Sequence, residues 1–168
     1  MRILVAADLH GYKKYVQLLD AVIERFNPDK IILLGDLLSY VTVDEEVIQI
    51  LNKHQDKIIA VRGNCDSDFV LNELQFDASS IYKEVDIDGF KFILTHGHMM
   101  DLLDTIIKDK YCLCGHTHVY NLDGQFINPG SVGSPRVNPE HTCLLYEDKV
   151  FNLYDLDTNE VIKKRTLE

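Results

Sequence analysis

The sequence predicts an α/β fold in which a parallel N-terminal part and a mostly antiparallel C-terminal part form two packed sheets with helices outside. Three observations support this. Apolar strand-like segments alternate with helical patterns in the first half, turn dipeptides typical of hairpins recur in the second, and short polar clusters follow one strand after another. Because ligands of open α/β sheets bind beyond the carboxyl ends of strands, we expect the functional site there.

The first 66 residues read as a series of buried strands joined by amphipathic helices. Apolar residues recur at helical spacing between Lys13 and Phe26, and Asn27-Pro28 ends that pattern. Thr42 with Glu45 resembles a capping box that opens a second helix running to His54. The intervening strands are predicted at residues 1–7, 30–34 and 57–61.

The second half predicts antiparallel pairing. Asp88-Gly89, a dipeptide favoured in two-residue hairpin turns, separates two strands at 82–87 and 90–95. Further elements are a helix at 102–107, a strand at 111–114, turns at 123–124 and 147–148, and an edge strand at 160–166. No linker or repeat interrupts the chain, so we expect a single domain over residues 1–168.

Length and charge limit the possible functions. A chain of 168 residues can bury a core without disulfides or structural metals, which leaves any metal free for function. The 27 acidic residues against 17 Lys and Arg give a net charge of −10, which disfavours nucleic acid and anionic lipid as partners. Bound divalent ions would reverse the charge locally, so a small anionic substrate remains compatible.

The compartment is expected to be the cytoplasm. The sequence has no apolar run of about 20 residues and no signal-peptide pattern at its start. Its four cysteines do not have the spacing of a disulfide framework. Cys112 and Cys114 lie in an apolar strand-like run, and we expect both to be reduced core residues rather than a zinc pair.

Five polar clusters follow five predicted strands and contain five of the seven histidines. Residues at i and i+2 of an extended segment point the same way, so Asp8 and His10 can converge on one object. A glycine beside nearly every cluster would let the backbone approach an ion closely. The clusters are Asp8-Leu9-His10, Gly35-Asp36, Gly63-Asn64-Cys65-Asp66, His96-Gly97-His98 and Gly115-His116-Thr117-His118.

The donor atoms of these clusters indicate two metal ions. Two carboxylates, one Asn carbonyl and several imidazoles are too many for one tetrahedral zinc, and two adjacent ions require one carboxylate to bridge. Mn, Fe, Zn, Co and Ni are all chemically compatible with such mixed nitrogen and oxygen ligands.

The ordered motifs D-x-H, G-D, G-N-x-D, H-G-H and G-H-x-H, between residues 8 and 118, resemble those of the calcineurin-like metallophosphoesterases. Segments 61–66, 95–98 and 128–131 further resemble the YfcE-like small phosphodiesterases. The resemblance implies a four-layer αββα sandwich of two mixed β-sheets flanked by helices. It also implies two divalent ions, with Mn preferred, and hydrolysis of a small or exposed phosphodiester by attack of a metal-bridging hydroxide.

The resemblance also assigns the ligands, and Asp36 is then the bridge between the ions. It implies that one ion is held by Asp8, His10, Asp36 and His118. It implies that the other is held by Asp36, Asn64, His96 and His116.

Three further residues are candidates for chemistry beside the metals. Many members of the superfamily have His where this chain has Cys65, and a thiol that ionises near a dication is a poor general acid. His98 is the candidate general acid or a support for a ligand, and a purely structural role is equally open. Asp66 is expected either to orient a ligand imidazole or to cap a helix.

The stretch from Asn128 to Arg136 offers backbone donors on a turn-rich loop and one guanidinium. Arg136 is a candidate substrate contact or an ordinary surface cation, and Asn128 is a candidate for a supporting role near the substrate. His54 and His141 lie outside the motifs and are expected on a helix face or a strand rather than at a metal.

Two alternatives to a phosphodiesterase remain open on sequence grounds. The motifs specify metals and not the group attached to phosphorus, so a phosphomonoesterase is possible. A non-catalytic scaffold is the other, because the retromer scaffold subunit has this fold. A nuclease is disfavoured by charge, a homo-oligomer is possible, and the short segment Leu37–Val43 suggests an open site.

Overall fold

The computed structural model describes residues 1–38 and 44–168. In these residues, ten strands and four short or medium α-helices follow one another in a pattern close to the predicted one. The strands are β1 Ile3–Ala6, β2 Lys30–Leu33, β3 Ile58–Ala60, β4 Tyr82–Ile87, β5 Phe90–Thr95, β6 Tyr111–Leu113, β7 Phe126–Ile127, β8 Thr142–Glu147, β9 Val150–Asp155 and β10 Glu160–Thr166. The helices are α1 Lys13–Phe26, α2 Glu45–Lys53, α3 Asp68–Leu71 and α4 Asp104–Ile107.

The strands form two sheets, and both are mixed. The first has the order β10-β9-β8-β1-β2-β3 and the second β4-β5-β6-β7. In the first, β1, β2 and β3 are parallel, whereas β8 joins β1 antiparallel and continues into the β9 and β10 hairpins. In the second, β4 and β5 are antiparallel, but β5, β6 and β7 are parallel. The C-terminal half is therefore less antiparallel than predicted, and its last three strands extend the N-terminal sheet.

Alternation along β1 shows how the layers stack. Leu4 and Ala6 pack with the buried faces of α1 and α2, whereas Ile3 and Val5 face the second sheet. On the far side, α4 and the turn before it cover the second sheet through Leu103 and Ile107. The order helix, sheet, sheet, helix confirms the predicted four-layer sandwich. Ile3, near the start of the chain, and Leu167, near its end, belong to the same central core.

Several element boundaries match the prediction, whereas β1, β2, β3 and β6 are shorter than predicted and one predicted helix is divided. Helix α1 and the hairpin of β4 and β5 have the predicted limits, and β10 is an edge strand. The predicted cap Thr42 lies outside the described residues, and the described N-cap of α2 is Asp44, whose carboxylate accepts the N–H groups of Glu46 and Val47. The helix predicted at 102–107 divides into a 3₁₀ turn, Met100–Leu102, and α4.

The four cysteines are free thiols, and Cys112 is buried while Cys114 is half-buried. Their positions in the core of the second sheet agree with the expectation that they are reduced core residues. Across the part of the chain that the structure describes, no helix has the length and apolar character needed to cross a membrane.

Candidate metal centre

The predicted ligands meet because the carboxyl ends of strands from both sheets lie at one edge of the sandwich. Strands β1, β2 and β3 are parallel neighbours, and the loops that follow them carry Asp8, Asp36 and Asn64. The parallel strands β5 and β6 of the second sheet lead to the two histidine motifs at 96–98 and 116–118. Backbone bonds join these loops, since the N–H of Gly115 donates to the carbonyl of His96 at 2.9 Å.

The backbone at the predicted ligands adopts an unusual conformation. L-residues rarely adopt left-handed dihedral angles, which cost roughly 1–2 kcal/mol each. Such strain collects at functional sites, where the surrounding structure holds it in place. The residues with φ in this region include Asp8 (54°), His10 (49°), Asp36 (51°), His116 (69°) and His118 (60°).

Two glycines let the carboxylates sit against the neighbouring backbone. A Cβ on Gly63 would lie 2.1 Å from Oδ1 of Asp36. A Cβ on Gly115 would lie 2.7 Å from the Cβ of Ala7 and 3.0 Å from Oδ2 of Asp8. Both glycines are therefore required by close approach, as their positions in the motifs suggested.

Four side chains form the first ligand group, and they are the four expected at the first ion. One ligand atom from each of Asp8, His10, Asp36 and His118 lies within 4.8 Å of the others. Nε2 of His118 is 3.5 Å from Oδ1 of Asp8 and 3.2 Å from Nε2 of His10. All four are buried or half-buried, so the group is largely shielded from water.

The second group shares Asp36 with the first. Oδ2 of Asp36 lies 3.3 Å from Nε2 of His96 and 3.7 Å from Nε2 of His10, so it faces both groups. Nε2 of His96 is also 3.0 Å from Oδ1 of Asn64, and the His116 ring centroid is 5.0 Å from that of His96. Asn64 and His116 are exposed, which makes this side of the centre accessible to a substrate.

A buried oxygen without a partner shows that this donor set suits cations. Oδ1 of Asp8 is buried and has no hydrogen-bond partner among the described residues, while its Oδ2 accepts the N–H of His116 at 3.0 Å. Burial raises the pKa of Asp8 to about 7. Leaving an ionised carboxylate oxygen unsatisfied is costly, and a divalent ion would remove that cost.

Two of the imidazoles are held by backbone hydrogen bonds in an orientation that suits metal binding. Nδ1 of His96 donates to the carbonyl of Leu34 at 2.8 Å, and Nδ1 of His118 donates to the carbonyl of Ser134. These bonds leave Nε2 of each ring directed at the carboxylates, which is the usual arrangement of metal-binding histidines.

The charges in the centre shift the pKa values of Asp36 and His96 in opposite directions. Burial acts to raise the pKa of Asp36, but His96 and the Cys65 N–H, 2.7 Å from Oδ1, outweigh it and hold the pKa well below its usual range. Burial acts to lower the pKa of His96, but the Asp36 and Asp8 carboxylates raise it overall. Asp36 is therefore ionised at neutral pH, as a bridging ligand must be.

Asp66 has different partners from those expected. Its two oxygens accept the N–H groups of Asp36, Leu37 and Gly63 at 2.8, 2.8 and 2.9 Å. It contacts no imidazole among the described hydrogen bonds, and the cap position of α3 is occupied by Ser67. The carboxylate therefore joins the loop after β2 to the loop after β3 and fixes the backbone of Asp36.

The segment after β7 supports the centre from behind. Nδ2 of Asn128 donates to the carbonyl of Gly115 at 2.8 Å and to Oγ1 of Thr117 at 3.1 Å, so this buried side chain holds the loop of His116 and His118. Oγ of Ser131 donates to the carbonyl of Asp8 at 2.8 Å. Sequence reasoning missed this role of Ser131, for which the only signal was its place in the N-P-G-S motif.

The remaining candidates lie at the margin of the centre. The His98 ring centroid is 5.3 Å from that of His96 and 6.2 Å from that of His116. Burial, followed by the charges of His96 and His116, lowers the pKa of His98. Arg136 is exposed, its N–H lies 3.4 Å from the carbonyl of His118, and its positive charge contributes to lowering the pKa values of His116 and His118.

The two histidines outside the motifs lie away from the centre, as predicted. His141 stacks on Tyr15 with ring centroids 3.4 Å apart. His54 lies at the end of α2, with Nε2 2.6 Å from Oδ1 of Asp20 on α1. Asp20, Glu24 and His54 form a second group of three potential ligands, which we call the helix cluster.

Comparison with known proteins agrees with this geometry. A model of the calcineurin-like phosphoesterase superfamily domain matches residues 1–149. The phosphodiesterase YfcE of Escherichia coli K12 is 26% identical over 96% of each chain, and phosphodiesterase MJ0936 of Methanocaldococcus jannaschii is 30% identical over 77% of this chain and 83% of that protein.

Two solved structures illustrate the range of this fold. The structure of the E. coli phosphoesterase YfcE superimposes over the whole of both chains with a TM-score of 0.88 and 25% identity. Vacuolar protein sorting 29 from Cryptosporidium parvum has a TM-score of 0.65 and 20% identity over 99% of this chain and 98% of that one, and it shares the fold. Because the family model covers most of the chain, the chain belongs to the calcineurin-like phosphoesterase superfamily.

Proposed function

We propose that this protein is a phosphodiesterase that uses two divalent metal ions to hydrolyse a small or exposed phosphodiester. The observation that carries the proposal is the position of Asp36, whose Oδ2 faces His10 in one ligand group and His96 in the other. The names of the bacterial and archaeal relatives support the diester as the substrate. The exposed side of the centre, at Asn64 and His116, is where the substrate would enter.

The proposed ligand sets divide the centre between the two ions. Asp8, His10, Asp36 and His118 would hold one ion, and Asp36, Asn64, His96 and His116 the other. When bound, the two ions supply an activated water as nucleophile and stabilise the negative charge that develops on phosphorus-bound oxygens. The protein contributes the fixed positions of these side chains, because Asp66, Asn128 and Ser131 hold the loops that carry them.

The side chains at the margin would act on the substrate. Arg136 would bind a non-bridging phosphate oxygen, as a guanidinium can with two donors. Burial and the neighbouring His96 and His116 lower the pKa of His98, which favours hydrogen bonding to the substrate over donation of a proton. Cys65 contributes its backbone N–H to Asp36, and its thiol also helps to hold the pKa of Asp36 low.

The native metal is proposed to be manganese. The ligands combine carboxylate, amide carbonyl and imidazole, a set that Mn accepts and that Fe, Co, Ni and Zn can also occupy. The free thiols fit a reducing compartment, and we propose a cytoplasmic location.

Turnover with defined metals tests the function. Protein purified without chelator should contain close to two divalent ions per chain by elemental analysis, and should hydrolyse bis(p-nitrophenyl) phosphate after addition of Mn. The same assay with p-nitrophenyl phosphate separates a phosphodiesterase from a phosphomonoesterase by the ratio of kcat/KM. Metal-loaded protein that is inert on both esters would contradict the enzymatic function and favour a scaffold.

A further inference from the structure

The four most exposed large apolar side chains of the described residues lie around the metal centre. They are Val137, Phe69, Leu102 and Tyr12, which are 78%, 67%, 62% and 51% exposed, and the next, Met1, is 48% exposed. Each of the four lies within four residues of a side chain already placed in the centre or at its margin. Single exposed apolar residues need no explanation, but a group of them around one site indicates that the site binds an apolar group.

The ring of Tyr12 is held against the segment that supports the first ligand group. Gly133 lies beneath it, because a Cβ at this glycine would lie 2.7 Å from Cδ2 of the ring. The N–H of Gly133 donates to the carbonyl of Asp8 at 3.0 Å, and the carbonyl of the next residue, Ser134, accepts Nδ1 of His118. The ring is therefore fixed beside the backbone that positions two proposed ligands, while half of its surface remains open to solvent.

The other three side chains extend from loops of both ligand groups. Val137 lies in the segment that follows β7 and supports the first group. Strands β3 and β5 carry the loops of the second group. Phe69 lies on α3, three residues after Asp66, and Leu102 ends the 3₁₀ turn after β5. Together with Tyr12, two apolar side chains therefore adjoin each ligand group.

The described cations at this edge could bind one phosphate group but not several. Arg136 forms no ion pair with a carboxylate among the described residues. Lys13, at the start of α1, pairs with Glu46, and Arg62, just before the motif at 63–66, pairs with Asp68 at 2.7 Å. A substrate with one phosphate charge and uncharged ester groups therefore fits this edge better than a polyphosphate does.

We propose that these apolar side chains bind the ester groups of the substrate, and that the substrate is a phosphodiester in which at least one ester group is aromatic. This inference rests on the proposed phosphodiesterase function. The ring of Tyr12 stacks on the aromatic group, while Arg136 contacts the phosphate. A diester has two ester groups, which accounts for apolar side chains beside both ligand groups. The net charge of −10 disfavours an anionic membrane as the occupant of this surface.

Calorimetric titration of the Mn-loaded protein with diphenyl phosphate and diethyl phosphate tests the inference. Both compounds are diesters with one negative charge, and they differ in the aromatic character of the ester groups. The unmodified protein should bind diphenyl phosphate at least about fivefold more tightly than diethyl phosphate. Tyr12→Ala should weaken the binding of diphenyl phosphate about five- to tenfold, because one stacking contact is lost, and that of diethyl phosphate less than about twofold. Phe69→Ala with Leu102→Ala should weaken the binding of diphenyl phosphate at least about threefold.

Two control variants separate the ring from general effects on the surface. Tyr12→Phe keeps the ring and should bind diphenyl phosphate as the unmodified protein does. Ile162→Ala removes an exposed apolar side chain from β10, which lies three strands from β1, and should change neither affinity.

Equal affinity of the unmodified protein for the two diesters would overturn the proposal, as would equal losses for both in Tyr12→Ala. Unchanged affinity in Phe69→Ala with Leu102→Ala would overturn the role of that pair. Turnover of bis(p-nitrophenyl) phosphate by the same preparation distinguishes these failures from failure of the function. Absence of turnover would contradict the phosphodiesterase, whereas turnover with equal affinities would contradict only the preference for an aromatic ester.

Discussion

The metal centre and the helix cluster have similar ligands but differ in what surrounds them. Each brings carboxylate and imidazole atoms within 4.8 Å of one another. In the helix cluster, Nζ of Lys53 lies 3.1 Å from Oδ1 of Asp20 and 2.9 Å from Oε1 of Glu24, so the protein supplies its own cation. In the metal centre, Oδ1 of Asp8 is buried and has no hydrogen-bond partner among the described residues.

The backbone conformation also differs between the metal centre and the helix cluster. Asp20 and Glu24 lie four residues apart on the regular helix α1, where their proximity follows from helical geometry alone. Asp8, His10 and Asp36 lie in loops with left-handed dihedral angles, which cost free energy unless something is gained. Unpaired burial and local strain together, rather than the residue types, distinguish a metal centre from an ion-pair cluster.

The largest expected effect comes from removing the charge of the shared carboxylate. Asp36→Asn should reduce kcat/KM for bis(p-nitrophenyl) phosphate by more than about 100-fold, because this one residue serves both ligand groups. Its substitution should therefore lower kcat/KM more than substitution of a residue that only supports a ligand. Elemental analysis should show loss of metal from the same variant.

Asp20→Asn is the matched control, since it makes the same substitution in the helix cluster. It should leave both turnover and metal content unchanged. Equal losses of activity in the two variants would contradict the distinction between the clusters.

A smaller effect is expected for Asp66, which touches only backbone near the centre. Asp66→Asn places an amide donor against the N–H groups of Asp36, Leu37 and Gly63 and should lower activity about 10- to 100-fold. Because the loss acts through the position of Asp36, part of it should be recovered at higher Mn concentration, measured as a shift in the metal-activation curve. An activity loss with no change in that curve would instead indicate a direct role with the substrate.

The different partners of Asp66 show what the sequence could and could not predict. Periodicity located α1 and the hairpin of β4 and β5 because both signals are local. The motifs predicted which polar side chains the fold brings together, because each motif follows a strand end. The partners of Asp66 depend on how two loops about 30 residues apart approach each other, and no local pattern carries that information.

The absence of a local signal also explains the other features of the structure that the sequence did not predict. The last three strands extend the first sheet because β8 pairs with β1, residues far apart in sequence. The helix cluster was not predicted as a cluster because α1 and α2 had to pack before His54 met Asp20. Ser131 supports Asp8 across more than a hundred residues, which only the folded chain reveals.

Metal binding at the centre should depend on pH, because Asp8 is buried there. Burial raises the pKa of Asp8 to about 7, so in chelated protein this carboxyl is protonated at pH 6 and ionised at pH 8. An incoming ion must displace that proton, and the other ion must displace any proton held by His96, whose pKa is also raised, so the apparent affinity should rise with pH by at least about tenfold per pH unit below pH 7. Calorimetric titration with Mn in buffers of different ionisation enthalpy measures the proton released.

The stability of the chelated protein should change with pH in the opposite direction to the metal affinity: it should fall as the pH rises. A carboxyl whose folded pKa lies above its unfolded value of 3.8 contributes stability at low pH that is lost as the pH rises from about 4 to about 7. The gap in Tm between metal-loaded and chelated protein should therefore widen over that window. In Asp8→Asn, this part of the widening should disappear, and an unchanged widening would assign it to another group.

The smallest effect is expected in the helix cluster itself. Lys53→Ala removes an exposed ammonium that pairs with Asp20 and Glu24, and such pairs contribute about 0–1 kcal/mol to the free energy of unfolding. Urea denaturation should show a change of that size, and elemental analysis should show the same metal content as in the unmodified protein. The carboxylates left behind are open enough to water to remain solvated without an ion, unlike the buried Asp8. An additional equivalent of metal bound by Lys53→Ala and lost again in Lys53→Ala with His54→Ala would show that the lysine alone keeps this cluster from being a metal site.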